Sequence, residues 1–582
     1  MIEPFTPKRD VTPYPLTVLD IETSQTGECI GVGMAWLQRE TVHYISAPNW
    51  DAWYIHYRRI YLDADKETRS RLKTIYAHNG AKFDWLHFAI WAKNKEILSD
   101  LACVQSGSMV HGVNLALRLD GERFILRLRD SLRLLPTGLK SLAKTFNVPM
   151  QKLEVDPTKM VELLRDNPKM FWEYLEHDVF ALQQVLTKFW EMIYSIAGNI
   201  GTLPMTLPSL AMRLFRMNLG YSIACTNADR LKVHERLSYF GGRTECFYPG
   251  EYDAINIYDI NSQYPYAMLT GEFPISYVGE WVRGYDGKHG IYHASFSQPA
   301  HTLPCMPILA NNSLSFQHEG TGYFTQPEIE QLLSIGGDVQ IHDGYVYHHT
   351  ANPFKEFVST WYDIKKQAEL TGDEGLRYTS KILMNSLYGK FGQQEYGYNI
   401  EIPKEGGIQQ LIDSGTEFRE VGDCVVIGRY RPSATTFVAI ASYVTSYART
   451  ILYRHMKVAT ELGNRVVYCD TDSLHLLGDT PLPTSPELGD LKLEYTGSAV
   501  YIGKKLYTLP DINKVKAKGI GREARETLSV EDFRDMLNGA TRKVSFPVFP
   551  SPLEVLSGNR LPAVQIQRTR TIRRTAALTE IR

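Results

Sequence analysis

The residues best equipped for chemistry in this chain are carboxylates that recur in pairs where apolar runs end. Asp20 and Glu22 lie at the end of the run Leu16 to Ile21. Side chains alternate along a strand, so both acids fall on one face. Asp84 follows the segment Asn79-Gly-Ala-Lys-Phe83. Asp178 comes four residues after Tyr174 in a stretch with helical spacing, so acid and phenol share a helix face. Four acids and a phenol can hold two divalent cations and orient a water. Cations about 3.5–4 Å apart stabilise both the attacking and the leaving oxygen of a phosphodiester. Any one of these acids alone reads more simply as a cap or a solvated surface residue. The three segments in order are far more specific than a lone Asp-x-Glu.

A second set lies further along. Asp259 ends an apolar strand, Ile255 to Ile260, and runs into Ser262-Gln263-Tyr264-Pro265. Asp470-Thr471-Asp472 follows a strand, Asn464 to Val467, as a tight turn. Its two acids point the same way or are re-aimed by the turn, and they repel unless a cation neutralises them. The plain reading is a polar hairpin turn, which Asp favours; flanking apolar strands weaken it. Between these acids, Lys381, Asn385 and Tyr388 fall at i, i+4 and i+7 of a helix spanning about 379–387. A cation, an amide and an aromatic on one face suit a triphosphate, its sugar and its base. The alternative is an amphipathic helix that ends at Gly389 and carries a snorkelling lysine.

The elements that must position these groups alternate between strand and helix, as an α/β domain does, up to a helix over Pro168 to Ile196. The Gly-Pro-rich stretch 198–208 reads as a linker. A second alternating region starts near Tyr239. Residues 271–355 read as an insertion with its own small core, and 392–435 as a β-hairpin excursion. Length, 582 residues, predicts three to five domains. A net charge of −2 excludes a polybasic coat but permits a local basic groove, which the last 80 residues can supply. Hydrophobic content of 43% against 22% charged excludes wholesale disorder. Seven scattered cysteines, never spaced Cys-x-x-Cys, exclude a disulfide framework and a zinc finger and point to a reducing compartment. With no long apolar run and no signal-like start, cytoplasmic location and no membrane contact are expected.

Together these segments resemble a family B DNA polymerase with a 3'-5' exonuclease, of the protein-primed phage branch. Asp20-Ile-Glu22-Thr, His78-Asn79-Gly-Ala-Lys-Phe83-Asp84 and Tyr174-Leu-Glu-His-Asp178 resemble its exonuclease motifs. Asp259 with Ser262-Gln-Tyr-Pro265, Lys381 with Asn385-Ser-Leu-Tyr388-Gly, and Tyr468-Cys-Asp470-Thr-Asp472-Ser resemble its polymerase motifs. Lys505-Leu-Tyr507 resembles the primer-gripping element, and Tyr239-Phe-Gly241-Gly242 the template-contacting link. Ser131-Leu132 and Lys152 resemble single-strand and lysine motifs of the branch. Gln263 departs from a usual Leu, and Asn79 stands one residue further from Phe83 than the branch commonly has it.

The resemblance implies an RNase H-like α/β exonuclease domain and an α+β right hand of palm, fingers and thumb with two terminal-protein-region insertions. The expected boundaries are 1–200 for the exonuclease, 201–270 and 435–521 for palm, 271–358 and 393–434 for the insertions, 359–392 for fingers and 522–582 for thumb and basic tail. Asp259 and Asp472 would hold two Mg²⁺, supported by Asp470; Asp20, Glu22, Asp84 and Asp178 would hold two more, with Tyr174 orienting water. Mn²⁺ is expected to substitute. Tyr264, Lys365, Lys381, Asn385 and Tyr388 would contact the dNTP. Tyr239, Gly241, Gly242, Lys505, Tyr507, Asn79, Phe83, Ser131, Leu132 and Lys152 would contact DNA. The expected partners are primer-template DNA, dNTPs, a terminal priming protein and a single-strand DNA-binding protein, acting on a monomer. The rivals are an ordinary primer-dependent polymerase, an inactive DNA-binding scaffold and a nuclease alone. The last leaves residues 239–518 unexplained.

Overall fold

A computed structural model of the chain describes residues 1–106, 109–119, 122–310, 313–403, 406–430, 433–558 and 566–574. The basic tail falls partly on 575–582, outside these.

Two large sheets carry the two acid sets. The first has ten strands, and its centre is mixed: Val18–Thr23 runs parallel to Thr74–Ala77, which runs parallel to Glu122–Asp130. Cys29–Gln38 and Thr41–Ala47 complete one edge in antiparallel order. The expected helix is Pro168–Ala197. Asn167 accepts from Met170 N–H at its start, proline takes the first turn and Gly198, at φ +71°, stops it. Its buried face, including Leu175 and Val179, presses on strand Cys29–Gln38. Gly33 makes that approach possible, because a Cβ there would sit 2.9 Å from Val179 and 3.0 Å from Leu175.

The second sheet has seven strands, ordered Lys514–Ala517, Leu506–Leu509, Leu491–Gly503, Gly250–Ile260, Ser473–Leu477, Arg465–Asp470 and Thr244–Cys246. Helix Val438–Glu461 lies behind it, burying Leu452, Met456 and Ala459 against Ile260 and Leu476. Two antiparallel helices, Lys355–Thr371 and Glu374–Ser386, rise beside the sheet.

Both insertions differ from the sequence reading. Segment 392–435 is three strands and a helix rather than a hairpin. Tyr396–Ile402 pairs with Leu98–Ser106 through Glu401 and Ala102, which makes it part of the ten-stranded sheet. The first insertion does build a four-stranded sheet with a core of Tyr292, Phe296, Phe324 and Ile329. That core also takes in Tyr453 from the long helix, so it is shared with the palm rather than separate. The linker stretch ends in a helix, Leu207–Met217, capped by Thr206.

Glu235, 1% exposed, accepts from the hydroxyls of Thr226 and Tyr347. Burial pushes its carboxyl up to about 7. The folded chain therefore binds a proton that the unfolded chain releases. Stability from this group is full below the ordinary glutamate range and is lost as pH rises towards 7, by about 3 kcal/mol at most. Glu235→Gln should flatten that window: thermal melts of the variant and wild type should converge near pH 5, with the variant higher at pH 8.

Candidate active sites

The first sheet brings Asp20, Glu22 and Asp178 together, with carboxylate oxygens within 4.8 Å of one another; among the described residues this is the only such cluster of metal-ligating groups. Asp20 and Glu22 come from strand Val18–Thr23 and Asp178 from the long helix Pro168–Ala197 packed on it. Asp84, 3% exposed, opens helix Asp84–Asn94 beside them. Burial first, and then the neighbouring acids, raise the carboxyls of Asp20 (to about 7), Glu22 and Asp84. Burial raises Asp178 too, while Lys152 and Tyr174 pull it back down. Asp84 Oδ1 and Asp178 Oδ1 are buried without a hydrogen-bond partner. Orphaned oxygens at the mouth of an acid cluster fit a cation, which would replace repulsion with coordination.

Lys152, expected from sequence to hold a phosphate, turns to the acid cluster in this structure. Its ammonium pairs with Asp178 and lies 4.9 Å from the Tyr174 ring, so in this state it neutralises the cluster. Ser131 is fully buried, donating to Ala77 O and bonded to His78, beneath the surface where the sequence reading put a DNA contact. Leu132, half-buried, remains at the surface, as do Asn79 and Phe83. Asn79 takes φ +66° and donates its N–H to Asp130 at 2.8 Å. Sequence reasoning missed Asp130, which holds both Asn79 and Leu132; the acid standing directly before Ser131 was its signal. Phe83 meets Phe549 edge-on at 5.6 Å, a contact across 466 residues that no local pattern encodes.

The second sheet brings Asp259, on strand Gly250–Ile260, beside the turn that carries Asp472 into the adjacent strand Ser473–Leu477. Asp259 pairs in register with Ser473, and Asp472 O accepts from Ile260 N–H at 2.8 Å. Burial and then Asp472 raise Asp259 to about 7, while Lys381 opposes the shift; Asp472 is raised as well. The turn does re-aim its acids. Thr471 at φ +64° sends Asp470 away, where it accepts from Lys505 at 2.8 and 2.9 Å and from Thr244. Glu494, unmarked by the sequence reading, adds negative charge to both Asp259 and Asp472. Gly242 has a steric reason: a Cβ there would lie 2.8 Å from Thr471 Cγ2 and 3.1 Å from Tyr264 OH. Gly392 likewise gives room to the Tyr239 ring. Gly241 faces open space.

Tyr264 and Tyr388 stack at 4.4 Å between ring centroids. Tyr388 does not continue the helix of Lys381 and Asn385. That helix ends at Ser386, and Tyr388 starts a short turn of its own after Leu387. Lys365 is ion-paired with Glu369 at 3.3 Å. Tyr507 is 7% exposed and its ring is packed among Tyr468, Tyr501 and His475, which holds the strand behind Lys505. Gln263 explains its departure by donating to Ala448 O at 2.8 Å, which ties the turn to the long helix.

A mixed exonuclease-type sheet with one acid cluster, joined to a palm sheet with another and flanked by two upright helices, is the architecture of a polymerase that carries an exonuclease domain. Residues 158–478, over half of the chain, match the family described as DNA polymerase type B, organellar and viral, and the chain belongs to that family. It is a DNA-directed DNA polymerase. It is 28% identical over 465 residues to the DNA-directed DNA polymerase of Enterobacteria phage PRD1, covering 78% of this chain and 76% of that one. The DNA polymerase of Streptococcus phage Cp-1 is 26% identical over 82% of this chain and 86% of its own length. The Phi29 DNA polymerase, solved with primer-template DNA and incoming nucleotides, shares the fold over 96% of this chain and 100% of that one. Its TM-score is 0.72 at 19% identity. No helix among the described residues is long and apolar enough to cross a membrane.

Proposed function

We propose that the chain replicates a linear genome from a protein primer, displacing the strand ahead of it and editing its own primer end. The observation that carries this reading is a closed circuit of contacts. The second insertion leaves the palm, joins the exonuclease sheet, and reaches the C-terminal segment at Gly422, whose Cβ would lie 2.2 Å from Ser557 O. Lys93 of the exonuclease region pairs with Asp423 in that same turn. A chain closed this way can encircle DNA, which supports processive, strand-displacing synthesis. In this reading the boundaries expected from sequence mark exonuclease, palm, fingers, thumb and two insertions, the first of which receives the priming protein.

Asp259 and Asp472 would hold the cations of synthesis, and Asp20, Glu22, Asp84 and Asp178 those of editing. Divalent cations bound there supply charge neutralisation on the transferring phosphoryl group and a more acidic hydroxyl or water. Lys381 places a cation where charge develops on the triphosphate. Lys505 anchors the primer by phosphate contact, without reading sequence. Tyr174 orients the attacking water, and Phe83, Asn79 and Leu132 hold a frayed end. Tyr264 lies under the sugar on the Tyr388 ring and excludes a 2′-hydroxyl. Tyr264→Val should therefore raise ribonucleotide incorporation by roughly 10- to 100-fold relative to dNTP, measured by single-turnover competition.

The test is extension of a primed single-stranded circle with Mg²⁺ and dNTPs, without helicase or clamp. Products far longer than one circle are expected. Products that stop at one circle would move the ordinary primer-dependent polymerase ahead. Addition of the first nucleotide to a candidate priming protein, read as a labelled protein band, tests priming separately.

A further inference from the structure

Arg243 is a buried cation outside the acid sites. It is 1% exposed, among the largest fully buried side chains, and the sequence motifs pass it by. Its guanidinium ion-pairs with Glu245 at 2.6 Å, donates to Pro304 O at 2.7 Å and lies 4.1 Å over the Phe316 ring. Pro304 and Phe316 belong to the first insertion, at the base and on the return strand of the hairpin formed by Met306–Ala310 and Ser313–Gln317. The same residue's main chain does something different. Arg243 O accepts the N–H of Thr471, the left-handed residue between Asp470 and Asp472, at 2.6 Å. Its neighbour Thr244 donates to Asp470. A second tie runs alongside, with Lys504 donating to Leu314 O at 2.8 Å next to Lys505, which holds Asp470.

We propose that Arg243 is a positioning residue of the polymerase reaction, fixing the Asp470–Thr471–Asp472 turn according to where the 304–317 hairpin sits. The proposal rests on Asp472 being a catalytic carboxylate. Two facts favour a coupling role over plain packing. The planar fork of Arg243 is divided between one acid of its own strand and one carbonyl of the insertion, so a shift of the hairpin must move either the guanidinium or its strand. The strand in turn has no slack towards the turn, because Gly242 and Thr471 are already as close as a glycine permits. Displacement of a catalytic group by about 1 Å costs on the order of 100-fold in rate.

The experiment uses the full chain and three variants: Arg243→Met with Glu245→Gln, which leaves no unpaired buried charge; Phe316→Ala; and the two combined. Single-nucleotide incorporation on a primer-template gives kcat and the dNTP KM. Exonuclease rate on a single strand and primer-template affinity report folding. The expected result is a kcat loss on the order of 10- to 100-fold for the first variant and a smaller one for Phe316→Ala. KM, DNA affinity and exonuclease rate should stay within about twofold, and the combined variant should be no slower than the first, because both act through one path. Phe316→Leu, which keeps the packing and loses the ring face, should lie between Phe316→Ala and wild type. Losses that multiply in the combined variant, or wild-type kcat in both separate variants, overturn the proposal. If the Arg243 variant loses its exonuclease through misfolding, the Phe316 pair decides: wild-type kcat in both of those variants overturns it. Failure of the wild type itself to extend a primer overturns the polymerase-site reading, which is a different result from active wild type with indifferent variants.

Discussion

Asp472→Ala should abolish primer extension while leaving the chain folded, able to bind primer-template and able to shorten a single strand. The expected loss is roughly 10³-fold or more, because the variant loses one of two neighbouring carboxylates that can hold cations worth several kcal/mol to a phosphoryl transition state. Glu494 contributes charge to the pair, but it is exposed, on the neighbouring strand Leu491–Gly503. Asp470→Ala provides the contrast. Asp470 points at Lys505 and Thr244 rather than at Asp259, so its removal frees a lysine and loosens a turn. The expected cost is about 10- to 100-fold, the range for a group that orients ligands without being one. Single-turnover incorporation with the two variants side by side separates the roles. Equal losses in both would sink the assignment of Asp470 as a support.

The difference between those two acids marks where sequence stops being informative. The acids themselves were legible, because a carboxylate at the end of an apolar strand has few plain uses and recurs here in order. So was the helix over Asp178, whose start and stop signals are Asn167, Pro168 and Gly198. What could not be read was direction. An alternating strand would aim Asp470 and Asp472 alike; a single residue at φ +64° turns one of them away, and threonine gives no warning of it. Nor could burial be read for Ser131 and Tyr507, whose motifs occur where an exposed ligand would also stand. Pairing over long separations was equally hidden. Glu401 meets Ala102 across 299 residues, so a segment that reads locally as a hairpin becomes the edge of a distant sheet. Arg243 shows a further limit. A buried arginine has no periodicity, and only its partners at 304 and 316 reveal it.

Asp20→Ala should remove exonuclease activity to a comparable degree, roughly 10³-fold or more, and leave synthesis intact. The two acid sets lie on separate sheets, which is why one can fail alone. The substitution should also change stability in the direction opposite to most buried changes. Without a cation, Asp20, Glu22 and Asp178 crowd within 4.8 Å, with only Lys152 to offset them. Two acids opposed by one ammonium are a better balance than three. In chelator, Asp20→Ala is therefore expected to melt at or above the wild-type temperature, whereas added Mg²⁺ should raise wild type and barely move the variant. A calorimetric scan of both proteins with and without the cation reads all four values. A variant that melts well below wild type in chelator would show that Asp20 is a structural acid whose charge the fold needs. Loss of degradation would then follow from unfolding rather than from chemistry. The exonuclease cluster would in that case be held together by Lys152 alone, and Lys152→Met would be the next variant to lose stability.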